Sequence, residues 1–153
     1  MPTLHRINVN PAGGVPKHAV GRAVVHIDHV EGDKQRNLKY HGGPLRAVCL
    51  YSLERIEALQ AEGHPITPGS TGENLTLSGV DWDHVVPGTR LQIGPEVTLE
   101  VTSYTAPCRN IAASLADGKF SRMSQEKFPG WSRVYVKVLR PGVVTVGDEV
   151  TVL

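Results

Sequence analysis

Cysteine is scarce in this 153-residue chain: Cys49 and Cys108 are its two. Two cysteines make no disulfide framework, and without a Cys-x-x-Cys pair a knuckle-type structural zinc site is excluded. Free thiols in a cytoplasmic protein are the simpler expectation, with a single bridge between them as the alternative. Charge of one sign is lacking too. Sixteen Lys and Arg stand against fifteen Asp and Glu, a formal +1 with His neutral. Such a balance gives no global field and argues against a protein that works along a nucleic-acid backbone. No stretch approaches the ~20 apolar residues that span a bilayer. The N-terminus has no apolar run of the kind a secretory signal needs. A cytoplasmic protein without nucleic-acid or membrane partners is expected.

What is present tilts the chain toward strands. Apolar residues make 40% of the sequence, enough for one core and too many for a disordered chain. There are 16 glycines and 11 prolines, so turns are dense, and 20 valines outnumber 13 leucines. A helical bundle is excluded. Alternating or β-branched runs predict strands at 4–9, 20–30, 47–51, 74–77, 91–93, 97–103, 133–139 and 149–152. Pro87-Gly88 before Gly94, and Pro141-Gly142 before Gly147, each read as a turn, a short strand and a second turn. Ser52 as N-cap, Leu53, Ile56 and Leu59 at helical spacing and Gly63 as a stop predict a helix over 53–62. Residues 109–116 predict about two further turns, and 122–128 a looser helix. No linker or low-complexity segment divides the chain. The expectation is one mainly β domain over residues 1–153, a β-barrel-like fold with a few short helices, because closure removes exposed edges.

Among residues that could carry chemistry, Cys108 stands out by context. It lies in Thr105-Ala106-Pro107-Cys108-Arg109-Asn110, where a strand ends and a short helix begins. A helix N-terminus and a neighbouring arginine both favour the thiolate that a metal or a sulfur-transfer reaction needs. A small buried residue closing a loop is the alternative. Cys49, between apolar neighbours in 47–51, reads as core packing. His26 and Asp28 share a strand face that His29 does not, so the three cannot converge on a metal. His41 precedes the Gly42-Gly43 pair, where a ligand could approach the backbone closely, although an ordinary turn reads equally well. Residues 70–77, Ser-Thr-Gly-Glu-Asn-Leu-Thr-Leu, form a polar turn feeding a strand. Its hydroxyls and Asn74 suit a polar heterocycle or a phosphate, but it lacks the lysine of a P-loop, and no Gly-x-Gly-x-x-Gly occurs. Lys39, Arg46 and Arg109 flank these loops and would suit an anionic ligand, with solvated surface charge the alternative for each.

Taken in order, His41-Gly42-Gly43, Arg46-Ala47-Val48, Tyr51, Gly72-Glu73-Asn74-Leu75, Pro107-Cys108 and Gly147-Asp148 resemble the MOSC domain. That domain occurs at the C-terminus of molybdenum cofactor sulfurases and as stand-alone bacterial proteins. The resemblance implies a β-rich, barrel-like fold and a site for the pyranopterin molybdenum cofactor. It implies Cys108 as the molybdenum ligand and catalytic residue, or as the carrier of persulfide sulfur. Asn74 and Thr105 would contact the pterin, and Arg109, Arg46 or Lys39 would neutralise its phosphate. Glu73, His41, Gly42 and Gly43 complete the implied cofactor-binding set.

Longer relatives that reduce N-hydroxylated bases or amidoximes carry extra segments, absent between Met1 and Leu153. There is no four-cysteine iron–sulfur pattern, so electrons would come from an external reductase. With no pyridoxal-phosphate domain, sulfur would come from a donor desulfurase. Three functions follow as expectations. One is a cofactor-binding oxidoreductase component acting on small N-hydroxylated substrates. The others are a sulfur-delivery protein and a non-catalytic barrel that binds a partner.

Overall fold

The computed structural model describes residues 1–34 and 43–153. Lys39, His41 and Gly42 therefore lie outside the described residues. The strands are β1 (Thr3–Val9), β2 (His18–Val20), β3 (Arg22–Val25), β4 (Val48–Ser52), β5 (Leu75–Ser78), β6 (Arg90–Ile93), β7 (Val97–Thr105), β8 (Arg133–Arg140), β9 (Gly142–Thr145) and β10 (Val150–Val152). Eight of them form one sheet in the order β10-β6-β7-β8-β4-β5-β1-β2, while β3 and β9 pair separately. All pairs are antiparallel except β4–β5, where Leu50 pairs with Leu75. The fold is mainly β with a mixed sheet.

Parallel neighbours need a crossover, and the one between β4 and β5 contains the α-helix α1 (Leu53–Ala61). The predicted signals set its ends. Ser52 Oγ accepts the Arg55 N–H at 3.1 Å, Ile56 and Leu59 are fully buried, and Gly63 follows at φ 98°. Arg55 and Arg122 then tie α1 to the loop before β8. Arg122 makes a two-pronged bond to Glu62 (3.0 and 2.8 Å), and both guanidiniums stack on Trp131, at 4.2 Å for Arg122 and 4.8 Å for Arg55. The start of β8 is anchored from the core. Tyr51 Oη donates to the Trp131 carbonyl (2.7 Å) and Trp82 Nε1 to that of Ser132 (3.0 Å).

Three expectations change. No closed barrel is found: among the described residues the large sheet ends at β2 and β10. The start of β1 does meet the segment leading into β10, since the Gly147 N–H bonds the Leu4 carbonyl and the Val150 N–H that of Pro2. The strand expected over 20–30 is shorter and interrupted: β2 ends at Val20, Gly21 breaks the run, and β3 stops at Val25, followed by a turn in which the His26 N–H bonds the His29 carbonyl. The helix expected over 109–116 is a 3₁₀ turn, Arg109–Ser114, and the looser one is Phe120–Met123. No described helix is long and apolar enough to cross a membrane.

Candidate functional site

Strand periodicity decides what the site is made of. In β8, Val134 and Val136 are fully buried, so Arg133 and Tyr135 turn to the other face. Register brings neighbours onto that face: Thr105 of β7 pairs with Arg133, and Cys49 of β4 pairs with Tyr135. These four residues line a cavity of about 390 Å³. The rest of its wall comes from Gly14, Val15, Lys17, Lys34, Thr71, Gly72, Asn74 and the 106–111 loop carrying Cys108. The size suits a ligand of a few tens of atoms.

Asn74 holds the walls together. Its Oδ1 accepts the Cys49 N–H at 3.0 Å, while its own N–H bonds the Cys49 carbonyl at 2.8 Å. Its amide donates to Asp33 Oδ2 (2.9 Å) and to the Asn8 carbonyl (3.4 Å). Asp33 also accepts from the Lys17 ammonium and, through Oδ1, from the Asn10 N–H (2.9 Å). Both side chains of this ion pair are buried. Lone charges would not survive there, and the amide bonds supply the partners that a desolvated pair needs. The turn 69–74 reaches the wall because its glycines allow it. Gly69 sits at φ 84°, where a Cβ would lie 2.6 Å from the Lys17 carbonyl.

Behind the wall, Glu73 is fully buried and takes hydroxyl bonds from Thr71 (3.2 Å) and Thr76 (3.1 Å). Burial pushes its carboxyl above the ordinary range, against those bonds and the nearby Arg133 cation. Burial likewise raises the Cys49 thiol, partly offset by Arg133, and keeps the Tyr135 phenol protonated. Arg133 is itself 4% exposed. One Nη donates to the Thr71 carbonyl, while its buried Nε–H has no partner among the described residues. Buried donors are nearly always paired. The guanidinium thus places a desolvated positive charge at the cavity wall.

Of the residues expected from sequence, Asn74, Thr105 and Cys108 reach the cavity. Asn74 spends its amide donors on the protein. Thr105 is buried, with its hydroxyl 3.6 Å from Cys49 Sγ. Cys108 is half-buried and precedes a 3₁₀ turn too short for the dipole expected of it. Glu73 sits behind the wall. Gly43 is exposed at φ 75°, outside the lining, and Arg109 is exposed outside it as well. Arg46 is also outside the lining, its guanidinium 6.0 Å from the Tyr135 ring centre. The cavity's described cations are instead Lys17, Lys34 and Arg133, and no carboxylate is among its described lining residues. Cys49, expected as core packing, is buried but faces the cavity and stands outside the apolar cluster. The rings of His26 and His29 stack at 4.7 Å on the surface, and no metal-holding group of three is found among the described residues. A signal for Arg133 and Tyr135 was present, since both occupy the polar phase of an otherwise valine strand. None was present for Lys17 and Asp33, which meet only in three dimensions.

The family profile of the MOSC domain matches residues 37–151. The chain is 29% identical over 142 residues to the uncharacterised protein YflK of Bacillus subtilis (strain 168), covering 92% of this chain and 63% of that protein. It is 27% identical over 121 residues to protein YiiM of Escherichia coli (strain K12), covering 76% and 52%. It thus spans less than two thirds of the length of either. The fold is similar to the crystal structures of YiiM from Geobacillus stearothermophilus (TM-score 0.75, 24% identity, 100% of this chain and 75% of that one) and of the YuaD protein from Bacillus subtilis (TM-score 0.77, 18% identity, 98% and 94%).

Proposed function

The chain belongs to the MOSC domain family, and on that premise we propose that its cavity binds the pyranopterin molybdenum cofactor, with Cys108 as the metal ligand. The observation that carries this reading is the convergence of a half-buried thiol and three cationic side chains, Lys17, Lys34 and Arg133, on one cavity. The donor set fits the group. A thiolate suits a soft metal centre. Arg133, Lys17 and Lys34 suit a phosphate, and the neutral Tyr135 and Thr105 hydroxyls suit a polar heterocycle. When bound, the cofactor would supply a redox-active metal able to accept an oxygen atom.

The chain's own residues do the rest. Asn74 locks β4 to the turn before β5, so Cys49 and Thr105 hold their places on the wall. Arg133 sets its guanidinium charge at the cavity wall, while the Lys17–Asp33 pair keeps a second cation on the lining. As the resemblance implies, the substrates would be N-hydroxylated compounds and the electrons would come from a reductase. Barrel-like curvature of the sheet belongs to the same reading. Protein from a cofactor-producing host is expected to contain molybdenum, and Cys108→Ala is expected to lose it. Equal metal in both proteins, or none in either, would remove the reading.

A second reading, sulfur delivery, is favoured by the accessibility of the free Cys108 thiol. It expects one added sulfur on Cys108 after incubation with a cysteine desulfurase, seen by intact mass. Sulfur on Cys49 instead would reverse the two roles.

A further inference from the structure

Cys49 has no place in the apolar cluster that fills the core, yet it is only 6% exposed, and what it faces is the cavity that Cys108 faces. Each cysteine is free. Register puts Cys49 opposite Tyr135, and its sulfur lies 3.6 Å from the Thr105 hydroxyl. Thr105 ends β7, and Cys108 follows three positions later across a stretch without strand or helix. Three residues span at most ~11 Å when fully extended, so Cys108 is tethered close to the Cys49 side of the wall. The Cys49 backbone is fixed through Asn74, whereas residues 106–108 belong to no strand or helix. A disulfide asks for Cα atoms ~4.4–6.8 Å apart, and any approach of the two cysteines falls to the Cys108 segment, since Cys49 is held in β4.

We propose that Cys49 and Cys108 are a redox pair that closes the cavity by forming an intramolecular disulfide, withdrawing Cys108 from ligand binding. The bond stands independently of the cofactor reading; its consequence for binding rests on that reading. The oxidant is a peroxide. The half-buried Cys108 meets it first: its sulfur attacks one peroxide oxygen, the O–O bond breaks, and a sulfenic acid and one water result. The Cys49 sulfur then attacks the Cys108 sulfur. The S–OH bond breaks, and the hydroxyl leaves as water with the proton from Cys49. In sum two thiols and one peroxide give one disulfide and two waters. Burial disfavours ionisation of Cys49, and the Arg133 cation beside it partly counters that, in keeping with its place as the second sulfur to react.

The test uses the cofactor-free chain and hydrogen peroxide, followed by intact mass and non-reducing peptide mapping. Wild type is expected to lose both thiols together and two hydrogens of mass, to yield a peptide joining 49 to 108, and to recover with dithiothreitol. Cys49→Ala, and separately Cys49→Ser, are expected to stop at a sulfenic acid on Cys108 that dimedone captures. A dimedone adduct on Cys108 of wild type with Cys49 still free would overturn the proposal, as would links only between chains. A second arm presents molybdenum cofactor to reduced and oxidised wild type. Uptake by the reduced form alone supports the closure, and equal uptake by both removes it. Uptake by neither counts against the cofactor reading while the disulfide result stands.

Discussion

Arg133 concentrates the cavity's physics in one side chain. A guanidinium 4% exposed, with a buried Nε–H unpartnered among the described residues, contributes little to the stability of the empty protein, because desolvation offsets what its bond to Thr71 gains. Arg133→Met is therefore expected to change the unfolding free energy by no more than about 1 kcal/mol. Cofactor or phosphate uptake should fall roughly ten- to hundredfold, the worth of one charge-assisted bond. Denaturant unfolding and binding titrations measure the two separately; a large stability loss with binding intact would assign Arg133 to the scaffold. Glu73 gives a pH signature. The unfolded carboxyl titrates near 4.5, whereas burial makes the folded one hold its proton to higher pH. As pH rises from about 4.5 through the raised value, the unfolded chain has released its proton and the folded chain has not, so stability falls over that window. Glu73→Gln should flatten the decline when unfolding is followed across pH. An unchanged slope would mean another group causes it.

The turn before β5 and the cap of α1 predict different failures. Ser52→Ala removes the bond to the Arg55 N–H and should cost about 1 kcal/mol, leaving the cavity intact. Gly69→Ala places a Cβ 2.6 Å from the Lys17 carbonyl at a φ that side chains avoid. It should cost at least about 1–2 kcal/mol and also weaken ligand uptake, because the strain falls on the segment carrying Lys17. Thermal unfolding beside uptake distinguishes the two; normal uptake in Gly69→Ala would separate that turn from the cavity. The same contrast explains what could be read from sequence. Strands rich in valine, and α1 with its cap and stop, carry their signals locally, so those elements were legible. The end of β3 at Val25 was not, because a turn closed by His26 and His29 leaves no glycine or proline mark in the alternation, whereas the break between β2 and β3 falls on Gly21. Cys108, Asn74 and Thr105 were found through ordered motifs. Cys49 and Tyr135 are brought together by sheet register, and Lys17 and Asp33 by the packing of two loops, neither of which a local pattern encodes.

Membership of the MOSC family fixes the architecture, while the chain spans only 63% and 52% of the two relatives it matches in sequence. On the cofactor reading proposed above, it is expected to reduce an N-hydroxylated compound only when cofactor and a reductase are both supplied, with turnover lost in Cys108→Ala. Turnover without any electron donor protein would show that the chain suffices. The order of the sheet also bears on timing. The cavity takes its walls from Gly14 at one extreme and Tyr135 at the other, and β8 lies between β7 and β4 at its floor. A growing chain on the ribosome therefore has no receptacle until Tyr135 has emerged. Whatever the cavity takes up must enter a fold already built from both ends of that span, and cannot guide its formation.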